Sequence, residues 1–221
     1  RVASVSYLNA RPLIEGLDAE PDIDLQLAVP SALLDLLRGD RAEAALLPVI
    51  DYQRMDGLVI LPAGGIGSDG PTLTVRIFSR APIEEIRSLA CDSDSHTSVA
   101  LARIILARQH GIRPEFCDLG AASNQRDEAR LLIGDKVITA APAGFNHQLD
   151  LGEEWKTLTG LPFILAVWMA RPGDHLRHLY DLLAQARRRG LESIDRIIRE
   201  HAISRGWPSY LSRQYLTKNL Q

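Results

Sequence analysis

Four short stretches of this chain combine hydroxyl, amide and glycine residues in the way that holding a small anion requires. The first is Ser6-Tyr7-Leu8-Asn9-Ala10-Arg11-Pro12-Leu13. Val2 to Leu8 reads as a strand, with the β-formers Val2, Val5 and Tyr7, and Asn9-Ala10-Arg11-Pro12 breaks it. Asn9 then stands beyond the carboxyl end of a strand, where open α/β sheets take their ligands, and its amide both donates and accepts. An Asn there also serves as a plain turn or helix cap. The second stretch, Asp94-Ser95-His96-Thr97-Ser98, follows a strand and opens a helix. Free backbone N–H groups and the hydroxyls of Ser95, Thr97 and Ser98 suit a carboxylate or phosphate, and the same residues suit ordinary N-capping. The third, Gly67-Ser68-Asp69-Gly70-Pro71-Thr72-Leu73-Thr74, reads as a turn leading into a strand that carries Thr74 and Ser79, whose hydroxyls could face a cleft. The fourth, Ile133-Gly134-Asp135, permits close backbone approach to a ligand and is equally a simple turn.

Other chemistries find little support. The six histidines are scattered, and His175 with His178 shares a helix face without a third ligand nearby, so no metal site is expected. Neither a phosphate loop nor a Gly-x-Ser-x-Gly elbow occurs, and Gly64-Gly65-Ile66-Gly67 lacks a strand-to-helix setting. Lys and Arg total 25 against 28 Asp and Glu, a formal net charge of −3. That balance offers no basic excess for a nucleic-acid backbone, and Arg187-Arg188-Arg189 reads as a solvated helix end. No helix-turn-helix with a basic face is visible, which ranks a regulatory domain last. No apolar run reaches 18 residues, so no membrane helix is expected. Cys91 and Cys117 read as reduced thiols.

The elements that must position these groups alternate strand and helix. Leu25 to Val29 and Ala44 to Val49 read as strands around a helix from Ala32 to Arg38, with Ser31 as its cap and Gly39 as its stop. Ser98 to His110 reads as a helix and Leu161 to Ala170 as a long buried strand. From Asp174 the chain looks helical, with pauses at Gly190 and at Gly206-Trp207-Pro208. The rhythm predicts an α/β fold with mostly parallel sheet. The 221 residues suit one large domain or two small lobes. Strands near Thr72–Ser79 and Phe163–Ala170 could carry the chain to a second lobe and back. That reading gives lobe one as residues 1–74 and 168–221, lobe two as 75–167, and a cleft between them.

Taken together, these blocks resemble the chorismate dehydratase family of the futalosine route to menaquinone. Ser6-Tyr7-Leu8-Asn9-Ala10-Arg11-Pro12-Leu13 matches its Tyr-Leu-Asn-x-x-Pro-Leu opening, and Ser95-His96-Thr97-Ser98 its Ser-x-Thr-Ser block. Leu132 to Asp135, Asp150 to Trp155 and Gly160-Leu161-Pro162-Phe163 through Trp168 follow in order. The resemblance implies a two-lobed type II periplasmic-binding-protein-like fold and a cytoplasmic enzyme without metal or organic cofactor. It would dehydrate chorismate, a small dicarboxylate, to 3-[(1-carboxyvinyl)oxy]benzoate. On the matched positions it implies Asn9 and Thr74 as catalytic residues. Tyr7, Ser95, Thr97, Ser98, Gly134 and Asp135 are implied to bind substrate, with Ser79 as the alternative hydroxyl. The family more often has Ser where Thr74 stands. Two other readings compete: the sister enzyme that makes 1,4-dihydroxy-6-naphthoate, for which His147 would be the base, and a non-enzymatic small-anion-binding protein of the same fold.

Overall fold

Val2–Val5 (β1) and Ala44–Pro48 (β3) are apolar but for Ser4, and every residue of both is buried. Strands covered on both faces read this way, and the two lie side by side in parallel. A computed structural model describes residues 1–92, 96–120, 127–173 and 175–220. Among these the remaining strands are β2 (Leu25–Ala28), β4 (Val59–Ser68), β5 (Val75–Ser79), β6 (Ser88–Cys91), β7 (Glu115–Asp118), β8 (Ala129–Ile133), β9 (His147–Asp150) and β10 (Phe163–Ala170). The α-helices are α1 (Pro30–Arg38), α2 (His96–Arg108), α3 (Lys136–Thr139), α4 (Leu151–Thr159), α5 (Leu176–Glu192), α6 (Ile194–Ile197) and α7 (Ser209–Gln214).

Two five-stranded sheets result, ordered β2-β1-β3-β10-β4 and β7-β6-β8-β5-β9. The orders are the same pattern used twice. Each sheet has three parallel strands, then one reversed strand, then a last strand antiparallel to that one. In each case the reversed strand is the one that arrives from the other sheet: β5 after β4, and β10 after β9 and α4. Two separate apolar cores follow, one around Leu33, Leu46 and Trp168, the other around Ile77, Leu89 and Leu131. A third, smaller cluster packs Ile197, Ile198, Ala202, Trp207 and Tyr215 of the C-terminal helices against Leu8.

Several boundaries differ from the sequence reading. β1 stops at Val5, and Leu8–Leu13 winds into a 3₁₀-helix with Pro12 inside it. Pro30, not Ser31, opens α1, since its fixed φ suits the first helical position. Gly190 does not interrupt α5. It lies on the buried stripe Leu179, Leu183, Ala186 and Gly190, and a Cβ there would come within 2.0 Å of the Pro12 carbonyl oxygen. Glycine thus lets α5 close directly onto the 3₁₀-helix that carries Asn9. β10 is buried only at Trp168, Met169 and Ala170, while Leu165 and Ala166 border open space. It pairs with the first sheet from Phe163 onward.

Cys91 and Cys117 are both free thiols, on neighbouring strands β6 and β7. Burial, with Cys117 close by, pushes the Cys91 thiol up to about 12. An alkylating reagent at pH 8 should therefore leave Cys91 unmodified in the native chain, with mass spectrometry placing any label on Cys117. Because the unfolded thiol ionises near 9, the unfolded state releases its proton first, and stability is lost as pH rises from about 9 toward 12.

Candidate functional site

The cleft lies where the two sheets face each other. It holds about 500 Å³ of open space, walled by apolar residues such as Val5, Leu46, Ile66 and Ile133. Its polar groups are Tyr7 and Asn9 from the segment after β1, Thr74 at the entry to β5, and Ser98 in the first turn of α2. Gly134, just past β8, completes the rim. No Asp, Glu, His, Lys or Arg is among the described residues lining it.

Local structure fixes each group. The Gly134 N–H donates to the Thr74 carbonyl at 2.9 Å, which aligns the ends of β8 and β5. Leu73 has φ +65, a conformation costly for a branched side chain. It is held there by its N–H donating to Asp150 Oδ2 at 2.8 Å. The Thr72 N–H and hydroxyl donate to Asp150 Oδ1 at 2.9 and 3.0 Å, so the whole 72–74 turn hangs on one buried carboxylate. Thr74 Oγ1 lies 2.8 Å from the Tyr215 hydroxyl. Burial pushes the Tyr215 phenol up, while the hydrogen bond with Thr74 opposes that shift. Asn9 Oδ1 is buried and has no hydrogen-bond partner among the described residues.

Of the sequence candidates, Tyr7, Asn9, Thr74, Ser98 and Gly134 meet in this cleft. Three others stand elsewhere. Asp135 does not face the cleft: its Oδ1 accepts from the Leu8 N–H at 3.3 Å and its Oδ2 from Arg205 at 2.9 Å. Arg205 also donates to the Ser6 carbonyl at 2.6 Å, so Asp135 clasps the second sheet to the Asn9 segment. Thr97 is turned to the Ile50 N–H at 3.4 Å, and its neighbour His96 meets the buried Asp51 at 3.0 Å. Ser79 is at the far end of β5. Its hydroxyl donates to the Ala81 carbonyl at 2.7 Å, the bond that closes the turn after the strand. Ser95 lies outside the described residues. His147 pairs in register with Ser79, at that same remote end. Sequence reasoning missed Tyr215, Asp150 and Arg205 as supports, because a lone Tyr, Asp or Arg carries no local pattern that announces a distant partner.

Gly134 gives a sharp test of this packing. Its φ is +69 and an added Cβ would meet the Tyr7 ring at 3.3 Å. Gly134→Ala should cost about 1 kcal/mol in stability, from the strained φ, and displace Tyr7 in the cleft. Thermal denaturation should show a drop of about 2–4 °C.

Topology and cleft together define a two-lobed α/β fold of the periplasmic-binding-protein-like kind. The alkanesulfonate-binding protein of Xanthomonas axonopodis pv. citri, solved with MOPS, superposes with a TM-score of 0.60 at 12% identity, covering 100% of this chain and 85% of its own. A protein from Archaeoglobus fulgidus superposes with a TM-score of 0.79 at 18% identity, covering 100% and 88%. The chain belongs to the menaquinone biosynthesis family, whose model matches residues 1–220. Chorismate dehydratase from Thermus thermophilus is 29% identical over 229 residues, spanning 95% of this chain and 84% of that one.

Proposed function

We propose that the chain is a chorismate dehydratase, a hydro-lyase acting in the cytoplasm that converts chorismate to 3-[(1-carboxyvinyl)oxy]benzoate for menaquinone. The observation that carries this is the meeting of Asn9, Thr74 and Ser98 in one largely apolar cleft, in a chain whose family and relative point to this pathway. An apolar wall suits the ring, and the start of a helix, here α2, suits a carboxylate. We assign lobe one to residues 1–74 and 168–221 and lobe two to 75–167, so that substrate is held between them. Tyr7, Ser98 and Gly134 bind it.

The reaction removes a ring hydroxyl and the neighbouring ring hydrogen. The ring carboxylate acidifies that hydrogen through the conjugated double bonds, and aromatisation drives the loss of water. The substrate's own enolpyruvyl carboxylate takes the proton, since the cleft brings it no carboxylate or imidazole among the described lining residues. The enzyme's share is geometry and hydrogen bonding at the departing hydroxyl, where Asn9 and Thr74 act. The remote position of His147 leaves the naphthoate-synthase reading without its base.

The decisive assay incubates the purified chain with chorismate and follows products by chromatography and mass. Loss of one water to the enolpyruvyl benzoate is the expected result. Chorismate unchanged beyond its spontaneous decay would overturn the reading in favour of a binding protein.

A further inference from the structure

We infer that Tyr215 is a positioning residue for this reaction, its hydroxyl holding the Thr74 hydroxyl so that Thr74 keeps its proton for the substrate. The inference rests on the dehydratase reading. Tyr215 belongs to the last helical turns, Tyr215–Asn219, remote in sequence from both partners. Its ring is buried and stacked on Trp207, with centroids 4.9 Å apart and planes 20° from parallel. The stack sets where the hydroxyl points, 2.8 Å from Thr74 Oγ1.

Two groups are left for the substrate. Asn9 Oδ1 is buried without a partner among the described residues and lines the same cleft as Thr74. With the Tyr215 hydroxyl donating to Thr74 Oγ1 across 2.8 Å, Thr74 keeps its own hydroxyl proton to give. The site then offers the substrate one acceptor, Asn9 Oδ1, and one donor, the Thr74 hydroxyl. A departing hydroxyl matches that pair: it donates a hydrogen bond to the first, accepts one from the second, and leaves as water once the enolpyruvyl carboxylate hands on the proton it took from the ring. With a Phe in place of Tyr215, packing against Trp207 would persist and the Thr74 hydroxyl would be free to turn.

Tyr215→Phe tests this. Chorismate turnover should fall about 10- to 100-fold in kcat with KM within about 3-fold, because orientation at the reacting hydroxyl is lost while carboxylate binding is kept. The thermal midpoint should stay within about 5 °C. Thr74→Val, which cuts the same bond from its other end, should show a comparable loss, and the double variant should lose much less than the product of the two. A role in packing alone predicts an unchanged kcat for Tyr215→Phe, and that result overturns the inference. Multiplying losses in the double variant overturn it as well, as does a midpoint lowered by more than about 10 °C, which would assign the hydroxyl to stability. If the parent chain itself leaves chorismate untouched, the dehydratase reading falls and this role falls with it.

Discussion

Asn9→Ala should lower kcat on chorismate by about 10²- to 10³-fold, the scale on which a single preorganised hydrogen-bonding group acts at a reacting centre. KM should move far less, because the apolar walls Val5, Leu46, Ile66 and Ile133 and the start of α2 are untouched. The physical case is the buried Asn9 Oδ1. An unpaired buried acceptor costs about 1–3 kcal/mol. A fold that keeps one in its cleft gains it back when a ligand donates. Alanine removes both the cost and the gain, so the variant should be no less stable than the parent while its chemistry is lost. Steady-state kinetics beside a thermal melt separates the two. A variant retaining more than a tenth of the parental kcat would remove Asn9 from the chemistry.

The parts of this site that the sequence disclosed are those with a local cause. Asn9 follows a strand of β-formers and precedes Pro12, and both constraints act within a few residues. Ser98 belongs to a helix start after a strand, and Gly134 to a left-handed turn only glycine makes cheaply. The fold class was legible for the same reason, since buried strands such as β3 and amphipathic helices such as α1 repeat in βαβ order. The candidates that lie outside the cleft lining share the opposite character. Ser79, Thr97 and Asp135 are hydroxyl or acidic residues near real site segments, and their partners are the Ala81 carbonyl, Ile50 N–H and Arg205. Which way such a side chain turns depends on strand length and on elements up to 127 residues away. β5 begins at Val75, so Thr74 sits at its cleft end and Ser79 at the other. The two stretches of β10 differ likewise: alike in sequence hydrophobicity, one half is sealed under the first core and the other borders the cleft.

Asp150→Ala should cost about 3–5 kcal/mol, the cost of stripping a buried charged partner from the groups it satisfies. Asp150 is the N-cap of α4, with Oδ1 accepting from the Gly152 and Glu153 N–H groups at 3.0 and 3.4 Å. The same carboxylate accepts from the Thr72 N–H, the Thr72 hydroxyl and the Leu73 N–H, and Arg76 Nε stands 3.4 Å away to balance its charge. A cap alone is worth about 1 kcal/mol. The remainder comes from two buried turn N–H groups left without partners and from Leu73, whose positive φ loses the bond that holds it. For a chain of this size the thermal midpoint should fall by about 10–15 °C. Activity should fall beyond what unfolding explains, because Thr74 follows directly on the released turn. Asp150→Asn keeps one acceptor and should lose less than half as much stability, since one carbonyl oxygen can serve Gly152 or Leu73 but not both. An alanine variant melting within about 3 °C of the parent would mean that the 72–74 turn is set by β5 and β8 alone, and Thr74 would then owe its place to the Gly134 N–H.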